Sequence, residues 1–127
     1  MVVIGIDPGQ SGGIVLLSDS WILPHKMPET EHDIAELFDG TERPRFAFIE
    51  KVGPARGRDG RQQGVSSAFT FGRGYGFLRG VITALAIPFE DVTPQKWQKA
   101  MNCLTGGDKN VSKSAAQRLW PDVKFTH

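Results

Sequence analysis

The sequence predicts an α/β domain, and three features carry that prediction. Val2 to Ile6 is a continuous apolar, largely β-branched run closed by an acid, Asp7, the pattern of a central strand covered on both faces. A glycine-rich turn, DPGQSGG, then leads directly into a second apolar run at Gly13 to Leu17. Helical patterns after Thr30 and after Val65 alternate with further strand patterns at Arg45 to Glu50 and Ile87 to Val92.

Each element has its own local cause. Gly13 to Leu17 and Trp21 to Leu23 are joined by the short SDS turn and read as an antiparallel meander, which Pro24 and Pro28 then break. Thr30 or Glu31 begins a helix through Ile34, Leu37 and Phe38, with acids in its first turns and Gly40 just past its end. RFAFIE, Arg45 to Glu50, is a strand whose last residue is a second acid. KVGPARGRDGRQQG follows, a loop too rich in glycine and cations to be an element and long for so small a domain. Val65 to Ala86 is a long helix in which Gly72, Gly76 and Gly80 fall on one face. Glycine costs about 1 kcal/mol per helix-interior position relative to alanine, so the stripe predicts close approach of another backbone, either the sheet beneath or a second subunit. Thr93-Pro94 opens a helix as N-cap and first residue, and a last helix is expected from Val111 to Trp120, stopped by Pro121.

At 127 residues the chain is expected to form one domain, residues 1–127, too short for two nucleotide-binding lobes. No apolar run approaches the roughly 18 residues of a membrane span, and the first 17 residues lack the basic start of a signal peptide, so a cytoplasmic location is expected. Cys103, the single cysteine, has no partner for a disulfide or a thiolate zinc site. The net charge of +1 conceals a division: residues 1–50 hold three basic and nine acidic side chains, whereas residues 51–127 hold twelve basic and five acidic ones. That asymmetry points to a polyanionic partner or to a merely solvated basic surface.

Asp7 and Glu50 each close an apolar strand, and at the tips of adjacent strands they would converge. Paired hard oxygen ligands favour Mg²⁺ or Mn²⁺ over zinc, while the competing reading makes both acids ordinary turn residues. DPGQSGG has a rival meaning as a phosphate-cradling turn of the actin-like ATPase type, but those proteins need two lobes, and no Walker lysine motif is present. Arg56, Arg58 and Arg61 of the basic loop, with Lys96, Lys99, Lys109 and Lys113, could neutralise phosphates of a nucleic acid. Phe69 and Phe71 follow that loop. An exposed phenylalanine there could wedge between bases, whereas a buried one would belong to the core.

Taken together, GIDPG at 5–9 with SGG after it, FIEKV at 48–52, SSAFTFGRGYGFLRGVI at 66–82 and VTPQKWQKAM at 92–101 resemble the RuvC-type Holliday-junction resolvases, in particular the compact phage and bacterial members of the RNase H-like superfamily. The resemblance covers most of the chain. It implies a mixed five-stranded sheet with helices on both faces, a homodimer, and Mg²⁺-dependent cutting of four-way and other branched DNA in a bacterial or phage-infected cell, with Mn²⁺ able to substitute. It makes Asp7 and Glu50 metal ligands and puts Gly72, Gly76 and Gly80 at the dimer interface. It also implies junction opening by Phe69 and contacts to the scissile strand by Lys96 and Lys113, beside the DNA-binding candidates that the basic loop offers on charge alone, Lys51, Arg56, Arg58 and Arg61.

The family completes its site with one or two further acids on a final helix reading roughly HxxDA, and His127 stands where that helix would begin. The remaining ligands, and the helix that carries them, are therefore expected after His127. With the site complete, hydrolysis is expected to follow a two-metal course in which Asp7 bridges the ions, Glu50 holds one side and no protein nucleophile is used. Other classes stay open at this point: a junction-binding protein without cleavage, a YqgF-like RNA nuclease, or a nucleotide-binding fragment of the actin-like type. Binding of junction DNA, structured RNA and ATP discriminates among them.

Overall fold

The computed structural model describes residues 1–53, 64–100, 114, 117–119 and 121–123. The expectations for Arg56, Arg58, Arg61, Lys113 and His127 fall outside these residues. The chain divides into two compact units, Met1–Asp91 and Val92–His127. No helix among the described residues is long and apolar enough to cross a membrane.

The strands are β1 (Val2–Asp7), β2 (Gly13–Leu17), β3 (Ile22–Lys26), β4 (Arg45–Glu50) and β5 (Phe89–Val92), with helices α1 (Glu31–Asp39), α2 (Val65–Ala84) and α3 (Pro94–Ala100). They build one five-stranded sheet in the order β3-β2-β1-β4-β5. The sheet is mixed: β1 to β3 form an antiparallel meander, and β4 runs parallel to β1.

Side-chain alternation decides which face carries the core. Val2, Ile4 and Ile6 of β1 share a face with Ile14 and Leu16 of β2 and with Ala47 and Ile49 of β4, and all are buried. Ile34 and Phe38 of α1 and Leu78 and Ile82 of α2 complete that cluster. Full burial of such a side chain contributes about 1.5–3 kcal/mol, so this one layer dominates the stability of the first unit. The opposite face carries Val3, Gly5 and Asp7 beside Phe46, Phe48 and Glu50, and it is only partly covered.

Several ends are fixed by capping. Thr30 caps α1 through its hydroxyl, which accepts from the Asp33 N–H at 3.1 Å. α2 stops two residues before the expected Ala86 because Ala86 adopts φ 56°, in the left-handed region. The Ala86 N–H then donates to Thr83 O at 3.0 Å and the Ile87 N–H to Ile82 O at 2.9 Å, the paired bonds of a Schellman ending, with Ile82 and Ile87 meeting in the core. The third strand also differs from expectation, since it runs through Pro24 to Lys26 instead of stopping at Leu23. As β3 lies at the sheet edge, the missing N–H of Pro24 leaves no ladder bond unmade.

Arg45, which opens β4 and whose charge alone would place it in solvent, is 6% exposed. Its guanidinium donates to Phe38 O at 2.6 Å, Thr41 O at 3.0 Å and Leu85 O at 3.2 Å. One side chain at the start of β4 thus binds carbonyls at the C-terminal ends of both α1 and α2.

Candidate active site

Asp7 and Glu50 come together through strand register. Ile6 pairs with Ile49 in the parallel β1–β4 ladder, and the next step sets Asp7 beside Glu50. Both follow the parity of the partly covered face, Asp7 after Val3 and Gly5, Glu50 after Phe46 and Phe48. Neighbouring strands lie about 4.8 Å apart, so the two carboxylates flank one point at the C-terminal edge of the sheet. Asp7 is exposed and Glu50 half-buried. Their donor set, two hard oxygens accessible to solvent, fits a magnesium-type cation. Among the described residues no group of three or more His, Cys, Asp or Glu side chains is placed to hold a metal ion.

The turn after Asp7 is built to hold that carboxylate in place. Gly9 has φ 109°, a conformation that side chains rarely adopt. A Cβ on Gly12 would stand 2.0 Å from the Asp7 carbonyl oxygen, so no other residue fits there without moving the end of β1. The Gly12 N–H donates to Gly9 O at 3.1 Å and its carbonyl accepts from the Met27 N–H at 3.1 Å, tying the turn to the end of β3. The Gly12 N–H is thus committed within the turn, which weighs against the phosphate-cradle reading.

The other expected contacts separate into groups. Lys51 is exposed and follows Glu50 directly. Phe69 is 69% exposed, whereas Phe71 is half-buried, its ring 3.4 Å from where a Gly9 Cβ would be. Phe71 therefore backs the Asp7 turn and Phe69 faces water. Gly72, Gly76 and Gly80 are exposed, and among the described residues a Cβ at any of them would meet nothing within 4 Å. That corrects one half of the expectation: the stripe does not admit the sheet, which packs against the other side of α2. Lys96 is exposed on α3 in the second unit, where the Thr93 hydroxyl caps the helix by accepting from the Lys96 N–H at 3.2 Å.

Arg79 carries a role that no sequence pattern signals. It pairs with Asp91 and stacks over Phe89 at 5.1 Å and Tyr75 at 5.6 Å, fastening β5 to α2. The hydrogen bond to the Asp91 carboxylate holds the Arg79 pKa above its ordinary value despite the opposing effect of burial.

No family model matches the sequence, and no curated protein matches it. The RuvC structure from Thermus thermophilus superimposes with a TM-score of 0.64, covering 100% of this chain and 84% of that one at 14% identity. The fold is RuvC-like. T. thermophilus RuvC in complex with a Holliday junction substrate matches similarly, with a TM-score of 0.62, 15% identity and coverage of 100% of this chain and 83% of that chain. At such identity the likeness speaks for the RuvC-like architecture, the mixed sheet with its helices, and the chemistry must be argued from the residues.

Proposed function

We infer that this protein is a metal-dependent endonuclease that cuts branched DNA, with four-way junctions as its substrate. The observation that carries the reading is the side-by-side placement of Asp7 and Glu50 at the C-terminal ends of adjacent parallel strands, in a fold shared with a RuvC that was captured on a Holliday junction. Asp7 and Glu50 would hold Mg²⁺, or Mn²⁺ in its place, with further ligands contributed from outside the described residues. The bound cation supplies Lewis acidity at a phosphodiester and makes water a competent nucleophile near neutral pH.

This chain's own residues supply position and selectivity. The Gly9–Gly12 turn fixes the Asp7 backbone, and Phe71 buttresses it from α2. Lys51, Arg56, Arg58, Arg61, Lys96 and Lys113 would neutralise phosphates, giving affinity that falls steeply with salt. Phe69, exposed near the start of α2, is shaped to enter a base step and hold the crossover open. The exposed stripe of Gly72, Gly76 and Gly80 suits a second copy of the chain, since two sites are needed to cut two symmetric strands.

The test is cleavage of a labelled four-way junction in Mg²⁺ by the wild type and by Asp7→Asn. Loss of symmetric cutting in the variant, with junction binding retained, is the expected result. Unchanged cutting by Asp7→Asn refutes the assignment, and tight junction binding without cutting by either protein selects a binding protein instead.

A further inference from the structure

Next to the turn that follows Asp7, the first unit contains an open groove of about 1040 Å³ between the β1–β2 turn, the start of α1 and the first half of α2. Its floor is apolar and includes Pro28, Phe71 and Phe77, while its rim carries polar groups that include Glu29, Glu31 and Arg73. Glu29, Glu31 and Arg73 are exposed, and among the described residues they form no ion pair or hydrogen bond. The groove starts at Pro8 and Gly9, immediately after Asp7.

This combination selects a kind of ligand. With two acids against one cation, the groove opposes a run of phosphates. An apolar floor with hydrogen-bonding edges matches a flat ring that is apolar on its faces and polar around its rim, and a carboxylate at that rim accepts hydrogen bonds from an exocyclic amine. A single cation leaves room for one phosphate.

We propose that this groove receives one unpaired nucleobase that carries an amine where thymine and guanine carry a carbonyl oxygen, namely cytosine or adenine, from the DNA strand beside the carboxylate pair. Glu29 and Glu31 accept from the amine, the apolar floor takes the face of the ring, and Arg73 meets the phosphate of the same nucleotide. Thymine, which has no exocyclic amine and presents a carbonyl oxygen at that position, is repelled by the two carboxylates. The assignment deepens the junction-nuclease reading and rests on it for the source of the strand. It makes Glu29 and Glu31 determinants of sequence preference, on the side of α2 opposite the glycine stripe.

The test uses the full chain without divalent metal, so that only binding is read. Fluorescence anisotropy compares four-way junctions carrying one extra unpaired nucleotide at the crossover, with cytosine, adenine, thymine or no base, alongside a linear duplex. The expected result is binding of the cytosine and adenine junctions at least about fivefold tighter than the thymine and abasic ones, the lower end of what a good base-edge contact gives. Glu29→Ala/Glu31→Ala should erase that preference and keep the affinity for the abasic junction. Arg73→Gln should weaken all junctions alike and reduce the slope of affinity against salt by about one.

Equal binding of all four junctions by the wild type, or an intact preference in the double alanine variant, overturns the proposal. Equal binding of abasic junction and linear duplex with the amine preference intact overturns the junction reading and leaves the groove assignment standing. Absence of binding to any probe overturns both.

Discussion

Replacing Arg45 by methionine tests whether the sheet's active edge is braced from the opposite end of β4. The guanidinium makes three hydrogen bonds, at 2.6, 3.0 and 3.2 Å, to Phe38 O, Thr41 O and Leu85 O. Methionine keeps much of the volume and removes all three donors. Among the described residues, of these three carbonyls only Phe38 O retains another donor, the Thr41 N–H at 3.2 Å. A hydrogen bond from a charged donor contributes about 1.5–3 kcal/mol, and leaving a buried acceptor unpaired costs about 1–3 kcal/mol. Allowing for relaxation at the helix ends, the loss should be about 3–5 kcal/mol, a large part of the roughly 5–15 kcal/mol that stabilises a domain. With a urea m-value near 1.5 kcal/mol/M, the midpoint should fall by about 2–3 M at constant slope. Arg45→Lys should recover only part of this, since a single ammonium cannot replace a planar fork that reaches two helices. A loss below about 1 kcal/mol for Arg45→Met would refute the reasoning.

Other consequences are equally specific. Ala86→Gly removes a side chain from a left-handed position and should raise stability by about 0.5–1 kcal/mol, read from the urea midpoint. Gly12→Ala forces a Cβ onto the Asp7 carbonyl and should both destabilise the fold, by more than about 1 kcal/mol, and abolish junction cleavage. Gly76→Leu should leave helicity and melting temperature intact or improved, because no described residue lies within 4 Å, yet should weaken the proposed pairing of two copies, read as a fall in sedimentation coefficient. Phe69→Ala should preserve the fold and weaken junction opening, measured by 2-aminopurine fluorescence at the crossover, by about tenfold.

The sequence was most legible where period and capping agreed. β4 occupies Arg45–Glu50 as its alternation implies, and α1 begins at Glu31, one of the two starts that its sequence offers, with Thr30 as the cap. It was least legible where the outcome depended on a neighbour. Pro24 breaks a central strand but is tolerated on an edge, and only the sheet order makes β3 an edge. The end of α2 is not legible in the sequence because an alanine takes the left-handed role usually signalled by glycine. That Asp7 and Glu50 each end a strand was visible in the chain. That they share a face follows from the β1–β4 register, a long-range fact. Glu29, Glu31 and Arg73 belong to different elements and carry no motif, so their common groove emerged only from packing.

The central claim, that Asp7 and Glu50 form one cation site, is tested most directly by titrating Mn²⁺ into the protein and following paramagnetic broadening of backbone amide resonances. The account predicts that broadening begins at the ends of β1 and β4 together, is competed by Mg²⁺, and is lost in both Asp7→Asn and Glu50→Gln. Broadening that survives either substitution, or that spares one of the two strand ends, would contradict it.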